Sequence, residues 1–81
     1  MPFVYILRCA DGSLYTGAAK NLERRLREHL AGRASRYTRA RLPVDLAWSR
    51  RVRSWSGALR EERRLKGLTR AQKLQLVERR D

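Results

Sequence analysis

The sequence predicts one small α/β domain whose elements run in the order ββαβαα. Three observations carry that prediction. An apolar run at Phe3–Cys9 is followed, across a glycine turn, by a second run that pairs back on it. Val44–Trp48 alternates in the manner of a third strand. Helix-capping signals stand at Asn21, at Ser54 or Ser56, and at Thr69. The 81 residues leave room for a single thin core. With no repeat, linker or low-complexity tract, residues 1–81 read as one domain.

In the first strand Phe3, Tyr5 and Leu7 point to one side and Val4 and Ile6 to the other. Both sides are apolar, the pattern of a strand covered on both faces. Ser13–Ala19 returns as the second strand of a β-hairpin. A two-residue loop would pair Ala10 with Ser13 and put Tyr5 and Tyr15 on opposite faces, because side chains alternate with period two. A three-residue loop, Ala10-Asp11-Gly12, pairs Cys9 with Ser13. Leu7 then faces Tyr15, Tyr5 faces Gly17, and all four share a face. Such a loop takes glycine at its last position, in the left-handed conformation. Gly12 stands there, so the three-residue register is the expected one.

Asn21 can cap a helix from about Leu22 to Ala31, with Gly32 as its stop. Leu22, Leu26 and Leu30, four apart, form its expected buried stripe. Arg25 and His29 lie beside that stripe, and Arg24, Arg27 and Glu28 point further outward. Residues 33–43 read as a basic, small-residue connection. Val44–Trp48 is the third strand, with Val44, Leu46 and Trp48 expected on one face. The second long helix starts at Ser54 or Ser56 and ends near Gly67, and Leu59, Glu62 and Lys66 are spaced to share a face. Thr69-Arg70-Ala71-Gln72 is a capping box opening a third helix with Ala71, Leu74 and Val77 as its apolar stripe.

Charge is the first functional signal. Lys and Arg number 20 against 8 Asp and Glu, a net charge of +12, and both halves of the chain carry the excess. A folded domain of that sign attracts phosphate polyanions, which favours contact with nucleic acid. A solubility surface and a small ribosome-associated protein remain the plainer readings, and charge says nothing of catalysis. No apolar run approaches the length a bilayer needs. The apolar N-terminus meets Arg8 too early for a signal peptide, so a cytoplasmic protein is expected. Cys9 is the only cysteine. It can make no internal disulfide, supplies at most one metal ligand, and is expected as a buried thiol.

The acidic inventory is short. Asp11 belongs to a turn, Glu23 and Glu28 to the first helix, Asp45 to a strand, and Glu78 and Asp81 to the end of the chain. Of the pair Glu61 and Glu62, only Glu62 lies three residues from both Leu59 and Leu65. A carboxylate on the inner side of a basic domain suits a hard divalent cation such as Mg²⁺, which takes one or two protein carboxylates and completes its shell with waters and phosphate oxygens. The plainer reading is a surface Glu62 paired with Lys66. His29, the only histidine, is a satisfied helix residue or a proton-transfer or phosphate-contacting group. One histidine and one cysteine all but exclude tetrahedral zinc. Arg25 can present its planar fork to a phosphate, against the alternative of a solvated helix face. Tyr5 and Tyr15 are core tyrosines or hydroxyls able to take up or relay a proton. Tyr37, Trp48 and Trp55 can stack on bases in an opened strand, although core packing suits Trp48 better.

Val4-Tyr5-Ile6-Leu7, Leu14-Tyr15-Thr16-Gly17 and Asn21-Leu22-Glu23-Arg24-Arg25-Leu26-Arg27-Glu28-His29, followed by Ala58-Leu59-Arg60-Glu61-Glu62-Arg63-Arg64-Leu65-Lys66, together resemble the GIY-YIG nuclease domain. The likeness is closest to small stand-alone members related to the N-terminal nuclease domain of the excinuclease C subunit. The resemblance implies a central three-stranded antiparallel sheet flanked by helices, and metal-dependent cleavage of a DNA strand. It makes Tyr5 the first-motif tyrosine, a general base or orienter for the attacking water. Tyr15 and Gly17 become the second motif, Arg25 the phosphate stabiliser, His29 a nearby assistant and Glu62 the ligand of one Mg²⁺ or Mn²⁺. Gly17 would leave room for phosphate and metal opposite Tyr5. The chain departs from the family pattern in having Val4 before the first tyrosine and Thr16 after the second.

The expected protein is thus a metal-dependent DNA endonuclease of low sequence specificity, in DNA repair or processing, with RNA as a second polyanionic partner and no membrane. The alternatives are a nucleic-acid-binding module of the same fold without chemistry and a basic structural protein of a ribonucleoprotein.

Overall fold

A computed structural model of the chain describes residues 1–78; Asp81 lies outside the described residues. The expected order is observed, with one addition. Strands β1 (Phe3–Cys9) and β2 (Leu14–Ala19) lead into helix α1 (Leu22–Leu30). A single helical turn, α2 (Arg36–Arg39), precedes strand β3 (Val44–Arg51) and helices α3 (Trp55–Lys66) and α4 (Arg70–Glu78).

The three strands form one antiparallel sheet in the order β2-β1-β3. Central β1 is covered on both faces, and Val4, Tyr5, Ile6 and Leu7 are fully buried. The hairpin closes in the three-residue register: Leu7 opposes Tyr15 and Tyr5 opposes Gly17. Gly12 takes φ +85, and its N–H reaches the Cys9 carbonyl at 2.9 Å. Asp11 locks the turn by accepting from the Ser13 backbone N–H and hydroxyl at 2.9 and 2.6 Å. Cys9 is buried as expected.

Tyr5, Leu7, Cys9, Ala19 and Val44 form the core beneath α1, with Leu22 and Leu26 packed against it. Val4 and Ala18 form a second core with Ala58 and Leu65 of α3 and Leu76 of α4. Helices α1 and α3 therefore cover opposite faces of the sheet.

Local signals set the helix ends. Asn21 Oδ1 accepts the Arg24 N–H at 2.9 Å, and Ser54 rather than Ser56 caps α3 by accepting from Gly57. α1 ends in a Schellman motif, with Gly32 N–H on the His29 carbonyl and Arg33 N–H on that of Glu28; Gly32 takes φ +75. The Thr69–Gln72 capping box is formed in both directions, at 2.9 and 3.2 Å.

Five expectations about faces and segments are corrected. Leu30 is 55% exposed and His29 takes the buried position on α1. Each four-residue step turns the helix by roughly 40° beyond a full circle, so Leu30 has rotated off the face that Leu22 begins. A bulge in β3 pairs Leu46 with Leu7 but Trp48 with Ile6. Trp48 therefore joins the core under α3 and leaves the face of Val44 and Leu46. The buried stripe of α3 is Ala58 and Leu65, with Leu59 exposed. On α4 Ala71 is exposed, and Leu76 packs against the core. The connection at 33–43 carries α2, capped by Ser35, whose hydroxyl accepts from Tyr37 N–H at 3.1 Å.

Candidate active site

Tyr5, at the middle of β1, has its hydroxyl 2.8 Å from His29 Nε2 on α1, and both residues are buried. The rings meet edge to face, their centroids 5.8 Å apart. Tyr15, one hairpin pair along the same face, places its ring edge against His29 at 5.3 Å and stacks on Tyr37 at 5.9 Å. Strand period and helix turn thus bring Tyr5, Tyr15 and His29 together, as the three-residue loop allows.

Burial pushes the Tyr5 phenol up to about 12, even with the Arg25 guanidinium beside it acting in the opposite direction; the charges of Tyr15 and Glu62 add to the rise. His29 is held below its ordinary value by burial and by the positive charge of Arg25. At neutral pH the pair is therefore a protonated phenol and an uncharged imidazole. Arg25 turns inward as its candidacy requires. Its Nε pairs with Glu28 at 3.1 Å, and its Nη1 donates to the Ala18 carbonyl at 3.3 Å.

Gly17 has a different use from the one expected. A Cβ there would stand 2.5 Å from the Tyr5 hydroxyl oxygen and 2.6 Å from Cζ. The space opposite Tyr5 is filled by its own phenol, not held open for phosphate and metal.

Glu62 sits on α3, one-fifth exposed, with Oε2 3.3 Å from Lys66 Nζ. The plain helix-surface pair is thus formed, while the carboxylate's charge also bears on Tyr5. Glu61 is equally shielded but is engaged by Arg64 and, at 3.6 Å, by Arg50. Among the described residues no group of three or more His, Cys, Asp or Glu side chains converges. With fewer than three such groups converging among the described residues, Glu62 fits a Mg²⁺-type ion only if that ion draws most of its ligands from water and substrate phosphate.

A cleft of about 390 Å³ opens between α1 and the start of α3, lined by Lys20, Arg24, Arg25, Glu28 and Trp55. Arg25 joins this basic cleft to Tyr5. Lys20 Nζ lies 5.3 Å from the centre of the half-buried Trp55 ring. Thr16, on the α3 side of β2, is buried beside Ile6, and its hydroxyl has no hydrogen-bond partner among the described residues. Its branched shape occupies a strand position that suits isoleucine.

One residue of the cluster was not singled out from sequence. Thr38 of α2 is fully buried, with Oγ1 2.8 Å from His29 Nδ1. Its only sequence signal is the Ser35 cap, which is local and says nothing of the distant His29. Among the described residues, no helix is long and apolar enough to cross a membrane.

The GIY-YIG catalytic domain matches the chain over residues 1–75. A UPF0213 protein of Natronomonas pharaonis is 49% identical over 75 residues, covering 93% of this chain and 88% of the relative. One from Oceanobacillus iheyensis is 47% identical over 76 residues, covering 94% and 88%. The solution structure of the UPF0213 protein BH0048 from Bacillus halodurans is 42% identical. It superposes with a TM-score of 0.61 over 95% of this chain and 83% of that one.

Proposed function

Because the chain belongs to the GIY-YIG catalytic-domain family, we propose that it is a metal-dependent endonuclease that hydrolyses phosphodiester bonds in DNA with low sequence specificity. It would act in the cytoplasm, in repair or processing of DNA. The observation that carries this reading is the 2.8 Å contact between the buried Tyr5 hydroxyl and His29 Nε2, with Arg25 alongside. A basic scaffold has no use for a protonated phenol held against an uncharged imidazole.

In the proposed reaction Tyr5 takes a proton from the attacking water as it passes its own to His29 Nε2, so the charge ends on the imidazole. The acidity of Tyr5 alone could not drive this step at neutral pH; His29 as acceptor makes it feasible. Arg25, whose guanidinium is held by Glu28, the Ala18 carbonyl and the Tyr5 hydroxyl, would turn an N–H to the phosphate and offset the negative charge that grows there. Tyr5 is closed to solvent, so Arg25, itself about two-fifths exposed, must swing toward the incoming phosphate before water reaches the phenol. Glu62 would hold one Mg²⁺ or Mn²⁺ after releasing Lys66. A metal so held supplies Lewis-acid neutralisation of the phosphate and leaving oxygen.

Incubation with single-stranded, nicked and duplex DNA in the presence of Mn²⁺ tests the reading. Cleavage is expected from the native chain and not from Glu62→Gln or Tyr5→Phe. Cleavage that survives both substitutions would belong to a contaminant. The Glu62–Lys66 pair favours a second reading, a binding module without chemistry, which predicts salt-sensitive binding and no product with any metal.

A further inference from the structure

We propose that Thr38 is a positioning residue, whose hydroxyl fixes His29 in the Nδ1–H tautomer so that Nε2 faces Tyr5 as an acceptor. The inference rests on the nuclease reading of Tyr5 and His29 and extends it to a segment, α2, that carries no reacting group.

The argument follows the protons along one buried chain. The Thr38 hydroxyl has a single hydrogen, and it donates to the Ser35 carbonyl at 3.3 Å. Toward His29 Nδ1, 2.8 Å away, the oxygen can then only accept. Nδ1 therefore carries the ring proton, and Nε2 presents a lone pair to the Tyr5 hydroxyl. The reverse arrangement would put a proton on Nε2 and leave nothing to accept from the Tyr5 hydroxyl, whose other neighbour, the Arg25 guanidinium, can only donate. Uncharged histidine in water prefers Nε2–H, so the protein must impose the other form.

α2 is built to hold that oxygen still. Ser35 caps it by accepting from Tyr37 and Thr38 N–H at 3.1 and 3.5 Å. Tyr37 stacks on Tyr15, and the Arg41 guanidinium lies over the Tyr37 ring, 3.8 Å from its centre. Arg41 in turn is tied to Asp11 in the hairpin turn at 3.0 Å and to the Tyr37 carbonyl at 3.0 Å. The segment is thus clamped between the β1–β2 turn and His29.

The chain has one histidine, so the imidazole ¹⁵N resonances of the full-length protein need no assignment. Spectra are recorded at pH 8, where the ring is uncharged. The native protein and Thr38→Ser should show a protonated Nδ1 and an unprotonated Nε2. Thr38→Val should move the proton toward Nε2, and its kcat on DNA with Mn²⁺ should fall by at least about tenfold while KM stays within about twofold. Nε2–H in the native protein overturns the proposal, as does a Thr38→Val protein with native tautomer and native kcat. Should Thr38→Val fail to fold, the native and Thr38→Ser spectra still decide the tautomer. The nuclease reading fails separately: the expected tautomer in a protein that cuts no DNA would leave Thr38 in its role and remove the reaction.

Discussion

The Tyr5 hydroxyl occupies the place where a side chain at Gly17 would begin: a Cβ on Gly17 would lie 2.5 Å from that oxygen. The two residues face each other across the hairpin, and the absent side chain lets the phenol lie flat over β2 and reach His29. Gly17→Ala should therefore cost about 1–3 kcal/mol by overpacking and remove cleavage along with it. Tyr5→Phe in the same chain should not restore stability, because Cζ would still be 2.6 Å from the new methyl group. Urea denaturation of the single and double variants measures both. A Gly17→Ala protein of native stability would refute the packing account.

Stability should fall at both ends of the pH range, through two different groups. His29 is held below its ordinary 6.5 in the folded state. Its contribution is present above pH 6.5 and is lost as the pH drops toward the folded value, because the unfolded chain takes the proton first. Tyr5 is raised from 10.0 to about 12, so its contribution is intact below pH 10 and is lost as the pH climbs toward 12. At 1.36 kcal/mol per unit the alkaline loss is about 2–3 kcal/mol. Chemical denaturation between pH 5 and 12 reads both limbs, and Tyr5→Phe should flatten the alkaline one.

Lys66 competes with any cation for Glu62. An exposed pair of this kind is worth about 0.2–1 kcal/mol, so Lys66→Ala should lower the Mn²⁺ concentration for half-maximal cleavage by up to about fivefold. Titration of activity against Mn²⁺ checks this. An unchanged or raised requirement would place the metal away from Glu62.

Gly12 tests the register of the hairpin. At φ +85 any L side chain is strained, although nothing lies within 4 Å of a Cβ there. Gly12→Ala should cost about 1 kcal/mol without steric damage, and Gly12→Asn less. A cost far above that would show that the turn does more than set the pairing.

DNA binding should be steeply salt-dependent, as a +12 domain requires. Each neutralised phosphate contributes a slope of about −0.9 in log K against log salt. Arg24→Ala, in the cleft beside Arg25, should reduce the slope by about one and leave kcat at saturation nearly unchanged. Fluorescence anisotropy at several salt concentrations gives the slopes.

The sequence by itself determined what short-range chemistry controls. The three-residue turn followed from Gly12, the ends of α1 from Asn21 and Gly32, the start of α4 from Thr69 and Gln72, and the central place of β1 from its two apolar faces. Each signal acts through backbone hydrogen bonds spanning a few residues. The pairing of Tyr5 with Gly17 followed from period two once the turn was set, and with it most of the candidate site. Tertiary structure decided the rest. A one-residue bulge in β3 sent Trp48 to the opposite core, which no alternation pattern reveals. The buried face of α1 was chosen by what β1 offered it, a phenol for His29 to meet, and Leu30 was left exposed. Thr38 became a partner of His29 because α2 folds back onto α1 across nine residues, a contact that depends on the chain path and on no signal within the segment.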